Sequence, residues 1–307
     1  MAMTSGSPEP SPRHGPARSR LRERVRADVL AWGAAERRDL PWRRTRDPWW
    51  VLVSEVMLAQ TQVARVEPRW LAFVERWPTP ASLALDDLSE LLRFWQGLGY
   101  PRRAANLHRV AQLVVSEHAG VVPDDLIALL ALPGIGPYTA RAVLAFAYET
   151  DVAVVDTNIA RVLARVGGER LTTRAAQSLA DSWVPVGRGW AWNQSMMDLG
   201  SLLCRPAPRC DGCPLAGCCG WALGAHPDPD PAIGSAGVSV RQARFAGSDR
   251  DHRGRMLRCL ADGPVAAEVL ILEAGLAEDP ARGDRLVVSL LDDGLVAIDG
   301  GLVRLGQ

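Results

Sequence analysis

The stretch that most constrains the fold runs from Leu132 to Asn158, LPGIGPYTARAVLAFAYETDVAVVDTN. It reads as a turn, a helix, a short apolar run and an acid. Gly134 and Gly136 flank a tight turn in which another backbone can approach closely, and Pro137 suits the first position of the helix. Such a helix start directs free N–H groups outward, which favours an anion such as a nucleic-acid phosphate. A plain interhelical turn is the alternative interpretation.

Asp156 ends the apolar run and precedes TNIARVLARV, a segment with helical spacing of its apolar residues. Aspartate is typical at this position, because its carboxylate accepts hydrogen bonds from the first N–H groups of a helix. Asp156 is also a candidate catalytic acid. The two roles are compatible.

The chain has 307 residues, 48% of them hydrophobic, enough for a sizeable core in two or three domains. Its 35 basic and 35 acidic residues cancel, so any attraction to nucleic acid must come from local patches. All the basic residues are arginine. The start of the chain lacks the apolar core of a signal peptide, and no apolar run is long enough to span a membrane, which predicts a cytoplasmic protein without a membrane partner.

The fold class is predicted to be mainly α, because helical periodicity begins at Leu21 and sustained strand alternation is absent until the C-terminal end. Residues 1–18 are rich in Ser, Pro and Arg and are expected to be a disordered tail. A helical domain at 19–223 follows. The Pro-, Gly- and Asp-rich stretch at 224–245 is interpreted as a linker to a module at 246–307.

The C-terminal module is predicted to contain helices at 249–261, 265–275 and 280–293. Two short strands around an Asp-Gly-Gly turn follow them. This order resembles a winged-helix module. Asp156 and the turn at Gly134 and Gly136 all precede the linker, so we expect the module to be dispensable for any chemistry at these residues.

A buried helix is predicted from about Trp50 to Arg65, because apolar residues surround it on nearly all sides. Glu55 lies in its middle. An unpaired buried carboxylate is costly, so Glu55 is either hydrogen-bonded for structure or held protonated for chemistry. Nearby aromatic and arginine residues can stack on and hydrogen-bond a base, although Trp more often fills a core; they are Trp42, Arg43, Arg44, Trp49 and Trp50.

Five of the six cysteines lie close together, at Cys204, Cys210, Cys213, Cys218 and Cys219. Clustering of this kind in a chain without a secretion signal favours a metal site over disulfides. Zinc accepts four thiolates, and the spacing alone does not exclude it.

The motifs LPGIGPYTA and VVDTNIARVLAR resemble the helix-hairpin-helix DNA glycosylases. SEVMLAQTQV, preceded by LPWR and DPWWV and followed by GLGYPRRAANLH, is similar to the adenine DNA glycosylase (MutY) branch of that superfamily, and the similarity runs from about Leu40 to Cys219. It implies a two-lobed helical body. It also implies a monomeric base-excision-repair enzyme that hydrolyses the N-glycosidic bond of adenine mispaired with 8-oxoguanine or guanine in double-stranded DNA, without a lyase step.

The resemblance implies that Glu55 protonates adenine N7 and that Asp156 stabilises the oxocarbenium ion. We expect an apolar environment to raise the pKa of Glu55, and a helix N-terminus to keep Asp156 ionised. Further active-site and DNA-binding residues are implied by position: Tyr138 and Asn158 in the active site, Gln60 and Tyr100 as wedges in the DNA stack, Leu40, Trp42, Arg43, Gly134 and Gly136 on the DNA, and Asp198 on the flipped base.

The family's cysteine pattern, C-x6-C-x2-C-x5-C, implies a [4Fe-4S] cluster with thiolate ligands. Cys204, Cys210, Cys213 and Cys219 match it except that the first loop is one residue shorter. Cys218 is the alternative fourth ligand.

Two further departures from the family are visible: Ala59 replaces a second glutamine, and Pro101 replaces a second tyrosine. Both could weaken contacts to the opposite strand without affecting the chemistry. The C-terminal module is too small for the NUDIX-like domain of longer members, so the preferred opposite base stays open, as do protein partners.

Two other functions compete with adenine excision: a thymine-mismatch or endonuclease III-type glycosylase, and a non-catalytic DNA-binding module. Glu55 and Tyr138 favour adenine excision, because the lyase branch has a lysine at the position of Tyr138. The presence of both Glu55 and Asp156 argues against a non-catalytic module.

Overall fold

The structure is a computed structural model, and it describes residues 16–235, 238 and 244–307. Most of the tail predicted at 1–18 therefore lies outside the described residues, as do parts of the linker predicted at 224–245. Helix α1 begins at Pro16, slightly earlier than the predicted boundary.

The described residues are mainly helical, as predicted. In chain order the helices are α1 (Pro16–Glu36), α2 (Pro48–Leu58), α3 (Val63–Arg76), α4 (Pro80–Ala84), α5 (Leu88–Phe94), α6 (Arg102–Glu117), α7 (Leu126–Ala131), α8 (Pro137–Phe146), α9 (Thr157–Gly167), α10 (Thr173–Trp183), α11 (Gly189–Leu202), α12 (Gly220–Leu223), α13 (Asp249–Cys259), α14 (Ala267–Glu273) and α15 (Pro280–Asp292). Short 3-10 turns lie at Pro41–Arg43 and Cys210–Gly212, and the strands are β1 (Val296–Asp299) and β2 (Leu302–Leu305). Among the described residues, no helix combines the length and apolar content needed to cross a membrane.

These residues form two compact units, one from residues 16–38 and 149–235, the other from residues 39–148 and 244–307. In the first unit, α11 packs against both α1 and α9, and α10 and α12 also contact α9. Its core includes Val29, Leu163 and Met196, which are almost completely buried. Helix α9 is buried on nearly every side: its first two residues are half-buried, and among its residues only Gly167 at the C-terminal end is exposed.

In the second unit, α2 contacts α3, α6 and α8. Asp47 caps α2 by accepting from the Trp50 N–H at 3.0 Å, and Pro48 occupies its first position. The predicted continuous helix from Trp50 to Arg65 is wrong, because α2 ends at Leu58. Gln60 has a left-handed backbone (φ 58°), which ends the helix. The sequence here has no Gly or Pro, the residues that usually indicate a helix end.

The C-terminal elements follow the predicted order of three helices and a hairpin. Strands β1 and β2 pair antiparallel, with Val296 opposite Leu305 and Asp299 opposite Leu302. Gly300 and Gly301 both have positive φ, so the Asp-Gly-Gly turn is confirmed. Helices α13, α14 and α15 contact one another, and β2 contacts α5. The module therefore packs within the second unit.

The stretch interpreted as a linker is partly anchored to the first unit. Asp230 pairs with the guanidinium of Arg165, whose side chain is only 2% exposed. Ser235 accepts from the Leu171 N–H at 3.0 Å. The Pro, Gly and Asp content predicts a linker here, and composition gives no information about an individual ion pair such as that of Arg165 with Asp230.

Candidate active site and cysteine loop

The helical hairpin consists of α7, the turn at 132–136 and α8. Gly134 has φ 75°, and a Cβ built on it would lie 2.3 Å from Nδ2 of Asn106, so only glycine fits. Gly136 is the N-cap of α8, and no described atom lies within 4 Å of a Cβ built there. Tyr138, in the first turn of α8, is half-buried. The turn therefore leaves its Gly136 side accessible to a ligand.

Glu55 lies in α2 and is 6% exposed. Its neighbours Val51, Leu52 and Met57 are almost completely buried, so the predicted burial of this helix is confirmed. A carboxyl group in these surroundings has lost most of its contact with water. This environment suits a group that donates a proton.

The residues before α2 that were predicted to contact DNA are largely buried in the protein, whereas contact with a base requires an accessible side chain. Leu40, Trp42 and Arg43 are 6–8% exposed. Trp42 packs edge-on against Trp70 with ring centroids 6.0 Å apart. Trp49 is also buried and donates to the Trp77 carbonyl at 3.1 Å. For Trp42 and Trp49 the core interpretation holds, and DNA contact by Leu40, Trp42 and Arg43 stays a prediction.

The two predicted wedge residues both have left-handed backbones, with φ 58° at Gln60 and 49° at Tyr100. Gln60 is exposed and Tyr100 is half-buried. Non-glycine residues seldom adopt this conformation, and it is maintained only where surrounding contacts enforce it.

Arg103 supplies such contacts. Its guanidinium joins the segments around Gln60 and Tyr100, which we call the wedge loops. It donates to the Val56 and Met57 carbonyls at 2.6 and 3.0 Å, and to the Leu98 and Gly99 carbonyls at 3.1 and 2.9 Å. Burial lowers the pKa of Arg103 to about 10, so the side chain is still charged at neutral pH. The sequence offered no signal for this role, since Arg103 looks like one more helical arginine.

Asp156 caps α9, as predicted, and accepts from the Ile159 N–H at 2.7 Å. Its second carboxylate oxygen accepts from Nδ2 of Asn158 at 2.7 Å. Burial raises the pKa of Asp156, and these two hydrogen bonds oppose the rise. The sequence-based expectation considered only the helix N-terminus, which favours the anion, and omitted desolvation.

A chain of hydrogen bonds continues from Asn158 to the cysteine loop. Nη2 of Arg161 donates to Oδ1 of Asn158 at 2.8 Å and to the Gly200 carbonyl at 2.7 Å, and Nε donates to the Cys204 carbonyl at 2.5 Å. A Cβ on Gly200 would lie 2.6 Å from Cβ of Asn158, so glycine permits this close packing of α11 on α9.

Arg161 and Arg165 are buried, hydrogen-bonded residues beside Asn158 and the cysteine loop that the sequence reasoning missed. Both are buried, and they lie four residues apart on the otherwise apolar α9. Two arginines at that spacing on a buried helix are a usable signal, because buried guanidinium groups require specific partners.

Asp198 is fully buried and binds Arg38. Its Oδ1 accepts from Nε of Arg38 at 2.7 Å, and its Oδ2 accepts from the Arg38 backbone N–H at 2.9 Å. This pairing gives Asp198 a structural role. Its contact with a flipped base stays a prediction.

Four cysteines line one cavity in the first unit: Cys204, Cys210, Cys213 and Cys219. Cys218 is not among the described residues that line it, and its thiol instead donates to the Leu215 carbonyl at 3.4 Å. Arg165 also lines the cavity; its Nη1 lies 3.5 Å from Sγ of Cys204. Burial raises the pKa of the Cys204, Cys210 and Cys213 thiols, to about 11 for Cys213.

The four cysteines that line the cavity form a possible ligand set for a metal centre. Among the described residues, no three His, Cys, Asp or Glu side chains converge closely enough to hold a single metal. Thiolates are the ligands of iron–sulfur clusters and are also accepted by zinc, so the residue types suit both.

Comparison with known proteins first defines the class. Residues 53–186 match the family model for the HhH-GPD superfamily of base excision DNA repair proteins. A solved structure of a thermostable thymine-DNA glycosylase is similar with a TM-score of 0.65 and 30% identity, covering 68% of this chain and 99% of that one. An endonuclease III–DNA complex shares the fold, with a TM-score of 0.59 and 24% identity over 66% of this chain and 97% of that one. The chain is a member of this superfamily.

Full-length relatives identify the branch. The adenine DNA glycosylase of Mycolicibacterium smegmatis is 42% identical over 288 residues, which cover 91% of this chain and 96% of that relative. The Mycobacterium tuberculosis enzyme is 40% identical over 91% of this chain and 93% of its own length. The human enzyme is 40% identical over 63% of this chain and 38% of its own length. The chain belongs to the adenine DNA glycosylases, enzymes of base excision repair that hydrolyse N-glycosidic bonds.

Proposed function

We propose that this glycosylase removes adenine mispaired with 8-oxoguanine or guanine from double-stranded DNA, acting as a monomer and without a lyase step. The supporting observation is the presence of two buried or hydrogen-bonded carboxyl groups in a chain of this family. Glu55 is 6% exposed in the buried helix α2, and Asp156 accepts hydrogen bonds at the start of α9.

The two groups divide the chemistry. Glu55 gives its proton to N7 of adenine, which makes the base a neutral leaving group as the C1′–N9 bond breaks. Asp156, as a carboxylate, offsets the positive charge that develops on the sugar. A water molecule then adds to C1′ and loses a proton, which leaves an abasic site. Asn158 orients Asp156 through their hydrogen bond, and Tyr138 is a further active-site residue of the helical hairpin.

DNA is held by the helical hairpin and the wedge loops. The Gly136 side of the turn accepts a phosphate, because added atoms meet no described protein atom there. Gln60 and Tyr100 enter the base stack beside the mispair. The exposed position of Gln60 and the enforced backbone of both residues support this role.

We further propose that Cys204, Cys210, Cys213 and Cys219 hold a [4Fe-4S] cluster. Their thiols line one cavity, and thiols that resist ionisation alone are converted to thiolates by a cationic centre. When bound, the cluster supplies covalent cross-links that fix the cysteine loop beside α9. Hydrogen bonds connect the cysteine loop to Asp156: Arg161 donates to the Cys204 carbonyl and to Asn158, and Asn158 donates to Asp156.

Replacement of Glu55 tests the chemistry. Glu55→Gln keeps the shape but cannot donate the proton, so single-turnover base release from an adenine:8-oxoguanine duplex should fall about 100-fold to 10,000-fold. DNA binding should be retained. Near wild-type turnover would remove Glu55 from the mechanism, and parallel duplexes with each other mismatch would reveal a thymine or endonuclease III-type activity.

A further inference from the structure

The side chain of Tyr100 is contacted from a distant part of the sequence. Nη1 of Arg250 donates to the Tyr100 hydroxyl at 2.6 Å, and the guanidinium carbon lies 5.7 Å from the centroid of its ring. The guanidinium of Arg103 lies 5.6 Å from the same centroid. Two cations are therefore within cation–π distance of one half-buried ring.

This contact belongs to a larger docked surface within the second unit. Nε2 of Gln96 donates to the Leu257 carbonyl at 3.2 Å, and Nε of Arg93 donates to the Ala261 carbonyl at 3.1 Å. Both acceptors belong to the C-terminal module and both donors lie just before Tyr100. The backbone that carries Arg250 is thus fixed relative to the Tyr100 loop.

The position of Arg250 in α13 is not explained by helix stability. It is the second residue of the helix, where the helix dipole favours anions and disfavours a cation. The neighbouring Asp249 and Asp251 follow that rule. Contact with Tyr100, and with the exposed ring of Phe245 at 5.9 Å, accounts for an arginine at this place.

We propose that Arg250 is a positioning residue for Tyr100, through which the C-terminal module sets how the Tyr100 ring enters the DNA duplex. The inference rests on the proposed function, in which Tyr100 is a wedge. A ring held by a hydrogen bond and two cations loses less conformational freedom on binding, so the module increases affinity for the distorted duplex without contacting the reacting base.

The experiment measures how far the base beside the mispair is unstacked when the protein binds. A duplex carries 2-aminopurine next to the adenine:8-oxoguanine pair, and the adenosine is replaced by its 2′-fluoro analogue, which resists hydrolysis. Binding of the full-length protein should raise the 2-aminopurine fluorescence as Tyr100 enters the stack. Arg250→Gln and Tyr100→Phe should each reduce this rise and weaken binding about tenfold, the scale of one hydrogen bond to a charged group.

The double variant distinguishes a coupled pair from two independent effects. If Arg250 acts through Tyr100, Arg250→Gln should add little to the loss already caused by Tyr100→Phe. The matched control is Arg285→Gln, which removes an exposed arginine of α15 in the same module and should leave fluorescence and affinity unchanged. Arg250→Lys keeps the charge without the planar guanidinium and should show an intermediate loss.

Three results would overturn the inference: normal unstacking by Arg250→Gln, multiplied losses in the double variant, or no fluorescence rise with wild-type protein. Base release from the unmodified duplex is measured separately. A wild-type protein that unstacks the mispair but leaves adenine in place would refute the proposed function alone, since the fluorescence series still decides the role of Arg250.

Discussion

Asp156 is subject to opposing influences on its pKa. Burial raises it, and hydrogen bonds from Ile159 and Asn158 lower it. The mechanism needs the carboxylate, whose charge is lost as the pH falls through this pKa. Base release should therefore fall on the acid side of the pH profile as Asp156 is protonated.

Replacement of Asn158 should move only the acid side of the profile. Asn158→Ala removes a hydrogen bond that stabilises the Asp156 carboxylate, so the pKa of Asp156 should rise further and the acid limb should shift to higher pH. The measurement is the single-turnover rate of base release as a function of pH. Gln112→Ala, which removes an exposed amide from α6, is the control and should leave the profile unchanged.

An acid limb that stays in place, or moves to lower pH, would contradict this assignment of Asp156. A lower rate at every pH with an unshifted profile would mean that Asn158 acts on geometry alone.

At the scale of single elements, the helical hairpin offers a matched pair of glycines. Gly134→Ala forces a side chain into the left-handed region and against Asn106, a strain of about 1–3 kcal/mol. Each kcal/mol should lower Tm by roughly 2–4 °C in a chain of this size class. Gly136→Ala should leave Tm unchanged, because its Cβ meets no described atom.

For DNA binding the two variants should rank the other way: relative to its effect on Tm, Gly136→Ala should weaken DNA binding more than Gly134→Ala does. If a phosphate approaches the backbone at Gly136, the added methyl group should weaken binding roughly tenfold, equivalent to one charged hydrogen bond. Normal affinity in Gly136→Ala would show that the turn is only an interhelical connection.

The cysteine loop provides a second matched pair. Cys219 lines the cavity with the other three cysteines, whereas Cys218 is not among the described residues that line it. Cys219→Ser should therefore lose the brown colour and about four irons expected of thiolate cluster chemistry, and Cys218→Ser should keep both. Iron content and the visible spectrum of protein purified without oxygen decide between them. The opposite pattern would make Cys218 the fourth ligand, and zinc in the wild type would exclude the cluster.

Elements were predictable from sequence where local signals agree. The cap at Asp156 and the C-terminal Asp-Gly-Gly hairpin are indicated by the residues that form them. The end of α2 was not predictable, because the left-handed Gln60 is enforced by the distant Arg103. The same holds for the first unit, where the pairing of Arg165 with Asp230 turns part of an apparent linker into packed structure.

At the scale of the whole molecule, the charge balance gives no general attraction to DNA. The 35 arginines are matched by 35 acidic residues, and several arginines are committed to protein contacts. Arg38, Arg161 and Arg165 bind buried partners, and Arg103 binds the wedge loops. Electrostatic attraction to DNA must therefore come from local groups of arginines rather than from the net charge of the chain.

The absence of lysine from the sequence predicts a glycosylase without a lyase step. A lyase step begins when an amine attacks the sugar carbon to form a Schiff base, which requires a primary amine that can lose its proton. No lysine side chain is available. Arginine cannot replace it, because its pKa lies above about 12 in water and, even for the buried Arg103, at about 10. The enzyme should release adenine and leave an abasic strand that is cut only by alkali or heat.

Borohydride trapping checks this expectation, because it reduces a Schiff base to a stable covalent adduct. The α-amine at the N-terminus is the remaining primary amine, and in a chain without lysine an amine-acetylating reagent modifies it selectively. Acetylated protein should release adenine at the same rate as untreated protein and form no adduct with the DNA. An efficient adduct with the acetylated protein, or strand cleavage without alkali, would contradict the monofunctional mechanism.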